Sequence, residues 1–167
     1  MVDLETDAGQ PVATGAIGFV KVPRRSTDLP KIAVKPEHIV AVFDGSAVLS
    51  RPLREEAGIT VLDRAKGVAE MQVTAELINT AGTLQGAMVA LLAEAAAEDL
   101  VSARFGMPAV VTDLDLRYLA QSGAGPVRTR SRLLGDGPDA PIQVELFDTS
   151  TDRLTTLVYA RTRTIAL

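Results

Sequence analysis

Apolar and polar positions alternate with period two along most of the C-terminal half of the chain. The alternating runs are Ala109 to Leu119, Val127 to Leu133, Ile142 to Phe147 and Leu154 to Ile165. This is the period of half-buried strands. Gln121 to Pro126, Gly135 to Pro141 and Asp148 to Asp152 separate them with turn-forming residues. Upstream, Ile59 to Asp63 and Gly67 to Val73 read as a hairpin. Between the two groups, Leu84 to Phe105 is rich in Ala and Leu, lacks Pro and has its only Gly near the start. That predicts one long helix closed at Gly106-Met107-Pro108. Consecutive strands without intervening helices imply an antiparallel sheet, with the helix covering one face. The expected class is α+β.

The first part of the chain follows a different plan. Val2-Asp3-Leu4, a turn at Ala8-Gly9-Gln10-Pro11 and a strand from Val12 to about Val22 predict a hairpin over residues 1–23. The order resembles Val144-Glu145-Leu146, the turn through Asp148 to Asp152, and Leu154-Thr155-Thr156. The plain account is that any β-hairpin looks like this. The sharper one makes residues 1–23 the closing hairpin of a preceding copy of the same domain. Residues 24–52 read as a linker with prolines and charges, in which Glu37 to Phe43 forms a short helix carrying His38. The main domain is then expected over 53–167.

Composition narrows the function classes. A chain of 167 residues with 47% hydrophobic content is a folded domain with a real core. Its net charge of -4 offers no basic footprint for nucleic acid. With no Cys and one His, disulfides and thiolate zinc sites are excluded, and a His-based metal cluster or Ser-His-Asp triad has little scope. The N-terminus is acidic, without the layout of a signal peptide. No apolar run reaches about 18 residues, because Glu94, Glu98 and Asp99 interrupt the longest. The expectation is a cytoplasmic protein with neither nucleic-acid nor membrane partners.

Glu94 stands out within Ala87-Met88-Val89-Ala90-Leu91-Leu92-Ala93-Glu94-Ala95-Ala96-Ala97. Desolvating a charge is costly, so an acid on an apolar helix is either on a narrow exposed stripe or held there for chemistry. Its helical neighbours three and four residues away are Ala90, Leu91, Ala97 and Glu98, none of them cationic. A buried Glu94 would have a raised pKa suited to base chemistry near neutrality. Gly86, if in the first helical turn, has a backbone N–H with no intrahelical partner at the positive end of the helix dipole. Such a donor can polarise a carbonyl and stabilise the oxyanion formed on it. The plainer alternative is that Gly86 serves tight packing of helix on sheet.

Asn79-Thr80-Ala81-Gly82-Thr83-Leu84-Gln85-Gly86-Ala87, then Glu94, then Val111-Thr112-Asp113-Leu114-Asp115-Leu116-Arg117-Tyr118-Leu119 resemble the hot-dog-fold thioesterases of the PaaI-like, phenylacetate-pathway type. Those show Asn-x-x-Gly-x-Leu-His-Gly-Gly, an acid eight residues after the first Gly of the pair, and a later strand with Asp-Leu and Tyr-Leu. The resemblance runs from Leu53 to Ala166, about two-thirds of the chain. One departure is Gln85-Gly86-Ala87 in place of His-Gly-Gly, which retains the Gly86 N–H.

The resemblance implies a hot-dog fold, an antiparallel sheet wrapped around one central helix, here with an extra N-terminal hairpin. It implies hydrolysis of acyl-CoA thioesters to acid and CoA, with coenzyme A as part of the substrate and no metal or organic cofactor. Gly86 would polarise the carbonyl. Glu94 would be general base or nucleophile, and Asn79 would orient water or substrate. Thr112 would position water, with Val111 an equal match by register; Gln85 and Ala87 would border the substrate.

Gly86 and Glu94 are separated by about 12 Å along one helix axis. They cannot meet at one thioester carbon within a single chain. Two antiparallel helices at a two-fold interface would bring them together. The expected state is therefore a homodimer with shared sites, or a dimer of dimers, as the side-by-side sheets of hot-dog proteins also imply. Arg128, Arg130 and Arg132 alternate along one strand and share a face. They could hold CoA phosphates, or form an ordinary solvated sheet face. Two further functions compete: a non-catalytic acyl-CoA-binding or regulatory module, favoured by the missing His, and a hot-dog hydratase or dehydratase, which would need an Asp/His pair that His38 is badly placed to supply.

Overall fold

The structure is a computed structural model and describes residues 2–16, 49–79 and 82–165. The chain divides into two units, Met1–His38 and Ile39–Leu167. In the first, β1 (Val2–Glu5) and β2 (Pro11–Gly15) pair antiparallel as a two-stranded sheet. Gly9 takes a positive φ in the turn and donates its N–H to the Thr6 carbonyl at 2.8 Å. The predicted continuation to Val22, most of the expected linker and the short helix with His38 lie outside the described residues.

The second unit contains α1 (Leu53–Glu56), β3 (Thr60–Asp63), β4 (Val68–Met71), α2 (Gly86–Phe105), β5 (Ala109–Tyr118), β6 (Val127–Leu133), β7 (Ile142–Asp148) and β8 (Arg153–Thr164). Its strands form one antiparallel sheet in the order β3-β4-β6-β7-β8-β5. The two hairpins and the alternating runs were legible in the sequence. The short α1 was not, since one turn is too brief to display a 3.6-residue period.

Helix α2 carries the chain from β4 to the opposite edge of the sheet, where β5 is hydrogen-bonded to β8 on one side. On the way it packs against β4, β5, β6, β7 and β8. Leu92, Ala93, Ala96, Ala97 and Val101 of the helix have no exposed surface. They meet Met71, Val127, Ile142, Val144, Leu146 and Val158 of the sheet, which are equally buried. Burial of a large aliphatic side chain stabilises by roughly 1.5–3 kcal/mol. The small Ala93, Ala96 and Ala97 contribute less area but allow the helix backbone to approach closely.

That approach is closest at the turn between β3 and β4. Residues Arg64–Lys66 form a single 3-10 turn capped by Gly67 in the left-handed conformation, with φ of 57°. Gly67 lies under the helix, and its carbonyl accepts bonds from Thr129 Oγ1 at 2.9 Å and Ser131 Oγ at 2.7 Å. These bonds explain why β6 turns hydroxyls towards the core: together they satisfy the buried Gly67 carbonyl. Asp99 is the buried acid of the helix, 5% exposed, and is held by Arg54 at 2.9 Å and Arg64 at 3.5 Å.

The helix starts at Gly86, later than the Leu84 expected from composition. Leu84 is committed elsewhere: it bridges to Ile78, and its N–H donates to the Ser122 carbonyl at 2.9 Å. Gln85 becomes the N-cap, and its carbonyl accepts from the N–H groups of Met88 and Val89 at 2.9 and 3.0 Å. At the other end Gly106 closes the helix in the left-handed conformation, as expected.

A Cβ on Gly67 would stand 2.7 Å from both the Ala96 carbonyl oxygen and Ser131 Cβ, at a φ that side chains rarely adopt. Gly67→Ala is therefore expected to cost about 2–4 kcal/mol of stability, through strain and displacement of the helix. Urea unfolding followed by circular dichroism measures this; a loss below about 0.5 kcal/mol would show that helix and turn are not in contact as described.

Candidate active site

The first turn of α2 meets the end of β5 and the loop that follows it. A cavity of about 270 Å³ opens there, lined by Asn79, Gly86, Tyr118, Gln121, Ser122 and Thr156 among others. Asn79 belongs to the loop leading into the helix. Its N–H donates to the Thr83 carbonyl at 2.8 Å, and its side chain exchanges bonds with Thr83, including Nδ2 to Oγ1 at 3.0 Å. Asn79 is exposed and thus shapes the approach to the helix as well as bordering the cavity.

Gly86 is the first helical residue, so its N–H precedes the intrahelical ladder and has no acceptor among the described residues. Tyr118 lies against it. The Tyr118 hydroxyl donates to the Gly86 carbonyl at 3.2 Å, and a Cβ on Gly86 would come within 2.8 Å of that oxygen. Tyr118 as a whole is 58% exposed, while its hydroxyl end is packed at the helix start. Burial pushes the phenol pKa up. Gln85, at the position where the PaaI-like pattern has His, donates its side-chain Nε2 to the Ile78 carbonyl at 3.3 Å. Ala87 is exposed on the helix surface.

Glu94 is not among the residues lining this cavity. It is half-buried, two turns further along α2, with no hydrogen bond or ion pair among the described residues. The condition attached to its basicity, full burial, is not met within one chain. Glu94 instead shares a partly open stripe with Ala87, Ala90, Leu91 and Glu98, on the side of α2 that the sheet leaves uncovered.

Glu98 escaped the sequence reading as a site residue. One of its carboxylate oxygens accepts the Val111 N–H at 3.0 Å, beside an irregularity in the β5–β8 pairing between Val111 and Asp113. Burial pushes its pKa up; the Val111 bond works against this, and the charge of Glu94 adds to it. Thr112 sits in the irregular stretch, exposed, with its hydroxyl donating to the Arg161 carbonyl at 3.4 Å. The structure thus ties Glu98, one helical turn from Glu94, to Val111, and places Asn79 and Gly86 at one cavity, next to Gln85. A signal for Glu98 existed: it lies one helical turn from Glu94, on the same face.

Asp148 is a second residue that sequence reasoning missed. Burial pushes its pKa up, but bonds from Ser150, Gly125 and Ala124 outweigh this and hold it below the usual carboxylate range. It thereby anchors the loop that delivers Gln121 and Ser122 to the cavity. Arg128 and Arg130 do not border the cavity. Both lie on the outer face of β6, Arg128 bonded to Glu70 at 2.8 Å and Arg130 stacked 4.1 Å from the Phe147 ring centre. Arg132 bonds Gln143 in the same ladder. Among the described residues no group of three or more His, Asp or Glu side chains is placed to hold a metal ion. No described helix is long and apolar enough to cross a membrane.

Comparison with known proteins defines the fold. The chain is similar to the solved structure of a variant of the phenylacetic acid degradation protein PaaI from Thermus thermophilus, at 27% identity over 70% of this chain and 100% of that one, with a TM-score of 0.60. It is similar to the thioesterase HI1161 from Haemophilus influenzae, at 18% identity over 71% and 87% of the two chains, with a TM-score of 0.61. It is also similar to the BH2602 protein from Bacillus halodurans, whose structure contains CoA, at 14% identity over 68% and 75%, with a TM-score of 0.59. The sequence matches no protein-family model and no curated protein. The molecule has the hot-dog fold, and its structural neighbours are PaaI and thioesterase-superfamily proteins.

A carboxyl group whose pKa is raised on folding stabilises below its unfolded pKa, and that contribution is lost as pH rises through the folded pKa. Glu98→Gln keeps an acceptor for the Val111 N–H without the charge. Its melting temperature is expected to exceed that of the wild type at about pH 8, with the gap closing towards about pH 4. An equal gap at both ends of a pH series of melting curves would refute the raised pKa.

Proposed function

We propose that this protein is an acyl-CoA thioesterase, releasing free acid and CoA. The observation that carries the reading is the first turn of α2: the Gly86 N–H faces no acceptor among the described residues, beside a cavity bordered by Asn79 and Tyr118. A thioester carbonyl placed there would meet a fixed donor at the positive end of a 20-residue helix. Glu94, free of a cationic partner, would act as base on water. The water oxygen then bonds to the acyl carbon as its proton passes to Glu94, the negative charge gathers on the carbonyl oxygen facing the Gly86 N–H, and the re-forming carbonyl breaks the C–S bond while the CoA sulfur takes the proton back from Glu94. Direct attack by Glu94, giving an acyl-enzyme anhydride that water hydrolyses, is the alternative role for the same carboxylate. Thr112 and Val111 would position the water on the Glu94 side, and Gln85 and Ala87 would border the substrate near Gly86. No metal or organic cofactor takes part in this scheme.

The active unit in this reading is a homodimer. The Gly86 cavity excludes Glu94, and the helix rise separates the two residues by about 12 Å. Two further features support pairing. The partly open stripe of α2 is mainly apolar, and β5, with 10 residues, is an edge strand bonded along one side among the described residues. Long edges of this kind are templates for a second copy. Gly86 of one chain would then serve the Glu94 of the other. Arg128 and Arg130, on the outer sheet face, would contact CoA phosphates only by leaving their present partners. A pure acyl-CoA binder is the second reading, and the engagement of Gln85 with the Ile78 carbonyl favours it, because the position that holds His in related sequences performs a structural task here.

CoA release from a panel of acyl-CoAs separates the two readings. Wild type is expected to turn over at least part of the panel, Glu94→Gln to lose about 10²-fold or more in kcat, and Asn79→Ala to lose about 10-fold or more. Binding without turnover across the panel would leave only the binder reading. Sedimentation is expected to give a dimer, or a dimer of dimers; an active monomer at nanomolar concentration would sink the shared site.

A further inference from the structure

The inner wall of the Gly86 cavity carries two hydroxyl groups with unusual surroundings. Ser122 is 6% exposed and Thr156 1% exposed, and both line the cavity. Neither side chain has a hydrogen-bond partner within the described residues. Yet no buried side-chain oxygen of the described residues is both sealed off and unpaired. Each of the two hydroxyls therefore keeps some open surface. Other hydroxyls of this domain are bonded: Thr129, Ser131 and Thr155 each donate to a main-chain carbonyl at 3.0 Å or less.

The elements that hold Ser122 and Thr156 are rigidly tied. Thr156 is the register partner of Tyr118 on the neighbouring strand β8. Ser122 is pinned through its own carbonyl, which accepts the Leu84 N–H at 2.9 Å, and through the loop that Asp148 anchors. The hydroxyls cannot easily turn away to find other partners. An alkyl chain pressed against them would leave both unpaired, at about 1–3 kcal/mol for each group. A ligand with its own hydrogen-bonding atom at that depth would satisfy them. Both hydroxyls line the same cavity as Gly86, so the polar atom must lie near the thioester carbonyl.

Resting on the thioesterase reading, we infer that Ser122 and Thr156 select an acyl group bearing a hydroxyl or oxo substituent close to the thioester carbonyl. The Gly86 N–H takes the carbonyl oxygen, and the two hydroxyls take the substituent. Both are specificity-determining residues and take no part in bond breaking.

The test compares butyryl-CoA with 3-hydroxybutyryl-CoA, in wild type and in the Ser122→Ala/Thr156→Val double variant. Wild type is expected to favour the hydroxylated substrate in kcat/KM by about 5- to 100-fold. The double variant should lose that preference, its rate on 3-hydroxybutyryl-CoA falling relative to that on butyryl-CoA. It should also keep or raise the melting temperature, because it removes hydroxyls that lack partners. Equal rates of wild type on both substrates would overturn the inference, as would a preference that survives in the double variant. So would equal slowing on both, which would assign the hydroxyls to the pantetheine amide common to all acyl-CoAs. A fall of several degrees in melting temperature would show that the hydroxyls are structural, and would also overturn it. Calorimetric binding of the same pair to Glu94→Gln protein separates the two levels. Discrimination in binding without turnover by wild type would reject the thioesterase reading and leave the polar cavity standing.

Discussion

The face of α2 that meets the sheet carries Ala93, Ala96 and Ala97, and all three are fully buried. Side chains this small let the helix backbone settle almost directly onto the β3–β4 turn, where Gly67 has no Cβ to hold it off. Interiors are packed to near-crystalline density, so this distance is not adjustable one residue at a time. The height of the helix above the sheet decides where its first turn meets Tyr118 and where its second half meets Val111. Both neighbourhoods of candidate chemistry are consequences of that one approach.

A helix apolar on nearly every side is the sequence counterpart of the same constraint. An amphipathic helix would announce its buried stripe; α2 does not, because even its uncovered side is built of Ala87, Ala90 and Leu91. On that side Glu94 and Glu98 are the polar exceptions. The third acid of the helix, Asp99, is neutralised by Arg54 and Arg64 and belongs to the scaffold. Three acids within six residues thus have different fates, determined by which strand or turn each one faces.

The polar residues at the sheet's inner surface divide in a comparable way. Thr129 and Ser131 satisfy the Gly67 carbonyl, and Thr155 satisfies the Leu146 carbonyl. Ser122 and Thr156 satisfy no group among the described residues, and they line the cavity at the first turn of α2. Buried polar groups are ordinarily paired. An unpaired pair next to a donor is a property of a place intended for a ligand more than of a core.

Period-two alternation, turn residues and one Pro-free Ala/Leu run were enough to read the antiparallel sheet, the long helix and most strand limits from the amino-acid order, because these depend on local periodicity. The spacing of Asn79, Gly86 and Glu94 was equally legible, together with the deduction that eight helical residues separate the last two too widely for one site. Three things required the tertiary structure. The helix starts at Gly86 because Leu84 is drawn to Ile78 and Ser122. Glu98 gains its environment from the Val111 N–H, contributed by a strand 13 residues away. Ser122 and Thr156 come together from segments with no sequence relation. Each depends on which distant group supplies or withholds a hydrogen bond, and that pairing exists only once the chain has closed on itself.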